Sequence, residues 1–284
     1  MPELPDLVHI ESALKDALPG RRIDRAIVLQ PVVLRVAIEG EVASLIEGHA
    51  FDTIRLHGPF IVFGLSGGRE LVVNLMVAGR LQYQRPGEKP EGHRCLSLVL
   101  DDGSTLHVCD DRKMAKVYLV TTGCYGVIPR FESQGVPVLS GAFTPDAFRE
   151  LARRHSRKQV RVFINDQTIL SAIGNAYADE ILFEARVHPK TPVGRLGPSG
   201  VEALFRAIRD VMEWGIRMVA GADRPIQEKV RDHMKVRGRK GLPCPRCGTT
   251  IRREGVRGFD VFFCPSCQPA SRAPFVDWRS LPKD

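Results

Sequence analysis

Four cysteines near the C-terminal end of the chain have the spacing of a metal site. They form the pattern Cys-x2-Cys-x16-Cys-x2-Cys and are Cys244, Cys247, Cys264 and Cys267. Two such pairs can place four thiolates around one tetrahedral zinc ion, and four thiolates leave no position for a catalytic water. We therefore predict one structural zinc ion. The alternative, two disulfides, belongs to oxidising compartments, and it is disfavoured because no signal-like apolar segment is evident and three further cysteines are present.

The amino terminus offers a second chemistry, in the sequence Met1-Pro2-Glu3-Leu4-Pro5-Asp6. If Met1 is removed, Pro2 exposes a secondary amine, and an α-amino group with a pKa near 8 is partly unprotonated at neutral pH. Such an amine can attack a sugar C1′ and form an iminium. Glu3, at the start of the first helix, could then transfer protons. The alternative is that the prolines only begin a helix, and the residues alone favour that alternative.

Charge points to an acidic partner. The chain of 284 residues carries 41 Lys and Arg against 33 Asp and Glu, a formal net charge of +8. The excess is concentrated in two basic runs, residues 153–161 and 229–240. A single basic run is usually a solvated face, but two runs leading to a zinc ribbon favour a phosphate-binding track. No apolar run approaches the roughly 18 residues of a membrane span, so we expect no membrane partner and a cytoplasmic location, associated with the nucleoid if the protein is bacterial.

Periodicity divides the chain into a strand-rich part and a helical part. Helical spacing of apolar residues predicts a helix over 6–18. Short Val, Ile and Leu-rich segments bounded by turns then predict an antiparallel sandwich or barrel. These segments lie near 23–38, 51–57, 60–66, 70–75, 96–100, 105–109 and 116–121. After a Gly and Pro-rich linker, helices are predicted from Thr144-Pro145, within 169–183 and over 198–218, with a strand of the zinc ribbon at 261–263.

Three separate motifs, taken together, resemble the formamidopyrimidine-DNA glycosylase/endonuclease VIII family. They are Pro2-Glu3-Leu4-Pro5, the segment Ile173-Gly174-Asn175-Ala176-Tyr177-Ala178-Asp179-Glu180-Ile181-Leu182, and the four-cysteine ribbon. The resemblance spans nearly the whole chain and reverses the preference stated above for Pro2. It implies an α+β protein with an N-terminal antiparallel β-sandwich, a C-terminal helical domain with a helix–two-turns–helix element, and a terminal zinc ribbon. The boundaries it implies are 1–125, a linker at 126–143, 144–235 and 236–284.

The resemblance also implies residue roles. In the family the terminal proline, here Pro2, forms a Schiff base with the sugar of the damaged nucleotide, and the following glutamate handles protons. Asn175 matches the asparagine that grips backbone phosphate. Arg161 matches a basic phosphate contact, with a solvated surface arginine as the alternative. His93 lies where the family places a DNA-contacting histidine, and Arg112 resembles the arginine that fills the space of an extruded base.

Two positions depart from the family pattern in ways that affect catalysis. Gly58-Pro59 stands where the family commonly has Gly-Lys, so the lysine that assists proton transfer is missing. Phe259 replaces the ribbon arginine five residues before the third cysteine, and Arg257 is the nearest substitute. These losses put efficient strand cleavage in doubt but leave Pro2 and Glu3 in place.

Further departures affect lesion recognition. The intercalating methionine of the family corresponds to Val77, unless neighbouring Met76 replaces it, and the void-filling phenylalanine corresponds to Met114. An apolar wedge therefore survives in altered form. The stretch between Gly215 and Val236 is short for the loop that caps oxidised purines, which puts specificity for oxidised guanine in doubt.

The sequence thus predicts a base-excision repair glycosylase with abasic-site lyase activity through Pro2, acting as a monomer on double-stranded DNA that contains damaged bases or abasic sites. A second hypothesis is a non-catalytic protein of the same fold that binds damaged DNA, motivated by the missing lysine and arginine. A third is a zinc-ribbon protein that binds single-stranded RNA.

Overall fold

A first helix and two facing sheets build the N-terminal half. The structure is a computed structural model that describes residues 1–256 and 258–270. Helix α1 spans Leu4–Ala17, close to the predicted 6–18, and its Leu7, Ile10 and Leu14 lie in the core. Pro5 lies in its first turn, where the missing amide proton is not needed. The sheet residues then follow in nine strands.

The nine strands form two antiparallel-dominated sheets that enclose one core. Their bounds are β1 Ile23–Val28, β2 Leu34–Val36, β3 Phe51–His57, β4 Phe60–Leu65, β5 Arg69–Asn74, β6 Arg80–Gln84, β7 Arg94–Leu100, β8 Thr105–Cys109 and β9 Lys116–Thr121, with a short helix α2 at Val42–Ile46. The four-stranded sheet has the order β1-β7-β8-β6, and the five-stranded sheet has the order β2-β9-β5-β4-β3. The pairing of β2 with β9 is parallel. The predicted β-sandwich is confirmed.

Two differences from the predicted strands have local causes. The segment predicted at 23–38 is interrupted by a 3-10 turn at Pro31–Val33, because proline cannot donate to a strand ladder. Strand β6 was not predicted, since it is polar apart from Leu81 and Tyr83 and lies at a sheet edge.

The segment between the sandwich and the helices is packed. Ile128 and Phe131 are buried against Phe60 and Val62 on the outer face of β4. Val136–Pro137 forms strand β10, which pairs in parallel with β11, Leu170–Ser171. The predicted linker therefore joins the two halves through apolar contacts and backbone hydrogen bonds.

The helical half has a separate apolar core. Its helices are α3 Pro145–Arg154, α4 Val160–Asn165, α5 Asn175–Glu184 and α6 Gly197–Gly221. Thr144 caps α3 by accepting a hydrogen bond from the Ala147 amide, as Thr-Pro predicted. Helix α4 was not predicted because it has only six residues. Leu4 of α1 packs against both cores, and α1 lies against α6.

A two-stranded hairpin closes the described chain. Strands β12, Arg252–Val256, and β13, Phe259–Phe263, are antiparallel. The hairpin and the cysteine pairs pack on the end of α5 through Phe183, Val236 and Phe262. Within the described residues, none of the helices combines the length and the apolarity needed to cross a bilayer.

The contact between α5 and α6 makes a stability prediction. Gly215 on α6 packs on the ring of fully buried Tyr177, and a Cβ there would clash with the ring. We expect Gly215→Ala to lower the free energy of unfolding by about 1–3 kcal/mol. Gly221→Ala in the same helix meets no atom within 4 Å and is the control, expected to be neutral or slightly stabilising. Urea denaturation measures both, and equal effects would contradict the packing argument.

Candidate functional site

The Glu3 carboxylate lies at the N-terminus of α5, in the other half of the molecule. It is buried, and its two oxygens accept hydrogen bonds from the backbone amides of Gly174 (3.2 Å), Ala176 (2.9 Å) and Tyr177 (2.9 Å). The first amides of a helix have no partner within the helix and carry its positive dipole end, so a carboxylate is well stabilised there. Glu3 therefore caps α5 and also fixes the amino terminus of the chain.

The turn before α5 is shaped to admit Glu3. Gly174 lies so close to the Glu3 side chain that a Cβ there would overlap it. Ala172, two residues earlier, has φ of 63°, a left-handed conformation, and its carbonyl accepts from the Leu4 amide at 3.0 Å. Gly174 thus provides the space for Glu3, and the amides of Gly174, Ala176 and Tyr177 provide the donors.

A buried ion pair holds the next turn of α1. Asp6 is buried and accepts two hydrogen bonds from the Arg231 guanidinium, at 2.8 and 2.6 Å, while Asp6 also accepts from the Glu3 amide. The Arg231 guanidinium lies 5.5 Å from the centre of the Tyr177 ring, a cation–π geometry. The segment that follows α6 is therefore fastened to α1 directly beside Glu3.

The terminal amine lies in a partly desolvated position. The Met1 nitrogen donates to the Val77 carbonyl at 3.0 Å. Burial, and after it the charge of Lys229, lower the pKa of this amine to about 6, while the Glu3 carboxylate acts in the opposite direction. A lowered pKa increases the unprotonated, nucleophilic fraction at neutral pH.

Asn175 and Arg161 lie together at the same end of α5. The Asn175 Oδ1 accepts from the Arg161 guanidinium at 2.9 Å and from the Asn165 amide at 2.8 Å. Because Oδ1 takes both bonds, the NH2 group is the end of Asn175 that can donate to a phosphate. Arg161 is 3 % exposed and pairs with buried Asp179 at 3.1 Å, which excludes the alternative of a solvated surface arginine.

His93 and Arg112 lie on two exposed loops that both form hydrogen bonds with Asp110, one with its backbone amide and the other with its carboxylate. Asp110 is fully buried, and it accepts from the amides of Arg112, Met114 and Ala115 at 2.7–2.9 Å. Its own amide donates to the His93 carbonyl at 2.8 Å. Asp110 thereby orders both loops and leaves the His93 and Arg112 side chains at the surface.

Much of the positive charge in the two basic runs is paired within the protein. In the run 153–161, Arg153 and Arg154 contact Glu150, Lys158 contacts Asp166, and Arg161 contacts Asp179. In the run 229–240, ion pairs with carboxylates involve Arg231, Lys235 and Arg237. The runs are therefore partly structural, and their formal charge overstates what they can offer to phosphate.

The four cysteines are assembled as the spacing predicted. Their Sγ atoms all lie within 4.8 Å of one another, and three of the separations are 3.4, 3.5 and 3.9 Å. Ligands about 2.3 Å from a tetrahedral zinc ion lie about 3.8 Å apart. The cluster fits one structural zinc ion, held by the residues Cys244, Cys247, Cys264 and Cys267.

The turn that lacks the family lysine lies near the amino terminus. Gly58, with φ of 54°, lines a cavity of about 310 Å³ together with Leu4 and Ala172, the neighbours of Glu3 and of the α5 turn. Pro59 is buried in this turn. Of the remaining departures, Val77 (46 %), Met114 (37 %) and Phe259 (58 %) are exposed apolar side chains, and Arg257 lies outside the described residues.

Comparison with known families accounts for nearly the whole chain. Residues 1–117 match the formamidopyrimidine-DNA glycosylase N-terminal domain, residues 135–225 match the helix–two-turns–helix domain of the same enzymes, and residues 241–270 match the zinc finger found in these enzymes and in isoleucyl-tRNA synthetase. The chain belongs to the formamidopyrimidine-DNA glycosylase family. Membership identifies it as a DNA glycosylase of base-excision repair, and it confirms the resemblance, the fold class and the structural zinc site.

Individual relatives are similar to this chain over nearly their full lengths. The formamidopyrimidine-DNA glycosylase of Pelotomaculum thermopropionicum is 33% identical over 94% of this chain and 99% of its own. The crystal structure of the family member MutM (Fpg) from Thermus thermophilus superposes with a TM-score of 0.81 at 30% identity, over 94% of this chain and 98% of that one. Lactococcus lactis Fpg, in complex with DNA containing an oxidised pyrimidine, superposes with a TM-score of 0.85 at 25% identity, over 94% and 100%.

The zinc cluster gives a direct prediction. We expect the purified protein to contain one zinc ion per chain and Cys264→Ser to lose it, because three thiolates and a hydroxyl hold zinc far less well. Zinc release after thiol blocking measures the content. Cys124→Ser changes an exposed cysteine outside the cluster and should keep one zinc. A wild-type protein without zinc, or a Cys264→Ser variant that retains it, would contradict the prediction.

Proposed function

We propose that this glycosylase also has abasic-site lyase activity and that the amine of Pro2, exposed after removal of Met1, is its nucleophile. The observation that carries the proposal is the position of Glu3. Its carboxylate is fixed by three amides of α5, so the residue beside it is fixed as well. A nucleophile that is held in one place immediately before α1 needs no further ordering when the sugar arrives.

The substrate that we propose is duplex DNA with a damaged base or an abasic site, bound by a monomer. Support comes from the DNA-bound Lactococcus lactis relative, whose DNA contains an oxidised pyrimidine, and from the +8 charge of this chain. Asn175 would donate to a backbone phosphate at the N-terminus of α5, with Arg161 holding its amide. His93 and Arg112, on the loops ordered by Asp110, would contact the strands around the extruded nucleotide.

The proposed reaction begins with the unprotonated amine. The Pro2 nitrogen forms a bond to C1′, and the bond from C1′ to the base breaks, with its electron pair leaving on the base, which takes a proton. The amine proton passes to the ring oxygen O4′ as the C1′–O4′ bond breaks, which opens the sugar ring and gives an iminium. Loss of a C2′ proton to solvent then breaks the C3′–O bond, and this β-elimination releases the 3′ phosphate. Three backbone amides donate to the Glu3 oxygens, so the carboxylate is held where it can stabilise the cation that forms beside it.

The departures from the family pattern suggest a slower base-release step. An abasic sugar has no base to protonate, so loss of the lysine at Pro59 should affect base release more than lyase activity. The domain boundaries that fit this division of roles are 1–125 for catalysis, 126–143 for the connection, 144–235 for DNA binding and 236–284 for the zinc ribbon.

Borohydride trapping on an abasic-site duplex tests the nucleophile. We expect a covalent adduct with protein whose mass shows loss of Met1, and we expect N-terminal acetylation to abolish it because an amide nitrogen has no nucleophilic lone pair. Glu3→Gln should reduce trapping by at least tenfold, since it removes the negative charge beside the iminium. A control with Glu11→Gln, in the same helix and paired with Lys15, should trap normally. Tight binding without an adduct would instead favour the second hypothesis, a non-catalytic protein that binds damaged DNA.

Introducing a lysine at position 59 tests whether its absence affects base release more than lyase activity. We expect Pro59→Lys to raise base release more than lyase activity, because the cavity beside Gly58 gives the new ammonium a route toward the site. Pro59→Met removes the proline ring without adding a charge and is the matched control. Single-turnover rates on a duplex with an oxidised base and on an abasic duplex measure the two steps. No change in either, or an equal change in both, would count against the assignment.

A further inference from the structure

The segment after α6 crosses the start of α1 and is fastened there at several points. Arg231 forms the paired bonds to Asp6, the Arg224 carbonyl contacts the His9 ring nitrogen at 3.0 Å, and Ile226 packs against the sandwich core. These contacts fix the backbone on both sides of Lys229. The segment is therefore held over the amino terminus and not free in solvent.

Lys229 lies against the terminal amine. Its Nζ donates to the Val77 carbonyl at 3.3 Å, and the Met1 nitrogen donates to the same carbonyl at 3.0 Å. Two cationic nitrogens thus share one acceptor. Among the described residues, Lys229 forms no ion pair of its own, in contrast to Arg231 in the same basic run.

We expect the same neighbours to face the amine when Pro2 becomes the first residue. One residue of backbone separates the two nitrogens, a distance of no more than about 4 Å. The four-carbon stem of lysine can follow the amine over that distance, and the fixed backbone keeps it within reach. Val77 and its carbonyl belong to the β5–β6 turn, which does not depend on Met1 for its conformation, since the Met76 amide donates to Asn74 within that turn.

We propose that Lys229, on the segment after α6, is the cation that faces the reacting amine. Its role is that of a positioning residue: its charge disfavours the protonated amine and so increases the nucleophilic form. This inference rests on the proposed function, and it assigns a task to a lysine that none of the sequence motifs singled out.

The charges around the terminal amine are consistent with a pKa that Lys229 lowers. In the chain that begins at Met1, the terminal amine is faced by Lys229 and Arg231, which disfavour its protonated form, and by Glu3, which favours it. Lys229 itself is faced by Arg231 and by the carboxylates Asp6 and Glu3, and burial is the main cause that lowers its pKa. Without the Lys229 charge, the carboxylate of Glu3 should stabilise the protonated amine more strongly, which raises the pKa of the amine.

The pH dependence of trapping and a direct titration of the amine test the inference. In Lys229→Met, we expect the acid-side midpoint of the trapping rate to move up by at least about half a pH unit, which lowers the rate roughly threefold at pH values well below both midpoints. Lys229→Arg keeps the charge and should keep the wild-type midpoint. Lys15→Met removes an exposed lysine from the far end of α1 and controls for net charge. NMR titration of protein that carries isotopically labelled proline gives the pKa of the unmodified Pro2 amine without DNA.

The possible outcomes distinguish the proposal that Pro2 is the lyase nucleophile from the proposal that Lys229 lowers the pKa of its amine. If the wild-type protein traps DNA but Lys229→Met and wild type have the same midpoint and the same amine pKa, the role of Lys229 is overturned and the lyase proposal stands. Equal shifts in Lys229→Met and Lys229→Arg overturn the role of charge. If the wild-type protein forms no adduct, the lyase proposal fails, and the NMR titration alone decides whether Lys229 controls the amine.

Discussion

The capping of α5 by Glu3 is the interaction on which the site depends. A helix in the C-terminal half lacks a residue of its own to satisfy its first amides, and the third residue of the chain provides the carboxylate across the interface. Because the three donors belong to backbone, their positions cannot be altered by rotation of side chains. The two halves can therefore separate only by exposing a buried carboxylate and three helix amides together, which makes the geometry of the amino terminus a property of the whole fold.

Other buried carboxylates organise their surroundings in the same manner. The Asp110 carboxylate orders the loop of Arg112, Asp179 receives Arg161, Arg237 and the Phe262 amide, and Glu180 accepts the amides of residues 235–237. Each replaces water around a set of donors and fixes a segment that would otherwise be flexible. Some basic residues, such as Arg161 and Arg237, are therefore engaged in contacts within the protein and contribute less positive charge to its surface.

Sequence alone predicted the parts of this structure whose causes are local. The cysteine spacing predicted the metal cluster, Thr144-Pro145 predicted the start of α3, and apolar periodicity predicted α1. The partners of Glu3, Asp6 and Asp110 could not be predicted, because each carboxylate meets backbone or arginine donors that are distant in sequence or set by a turn. Arg161 illustrates the limit: its match to the family was visible, but its burial follows from Asp179, one helix away, which a linear pattern does not reveal.

Helix α5 connects Glu3, at its first turn, to the zinc ribbon, at its last turn. Its first turn holds Glu3, and its last turn carries the ribbon, through Arg246, which contacts both Glu184 and the Phe183 carbonyl. Ten residues of α-helix span about 15 Å and resist compression along the axis. The metal-bearing hairpin and the amino terminus are thus attached to opposite ends of one rigid helix, so neither can shift relative to the other without moving or breaking α5.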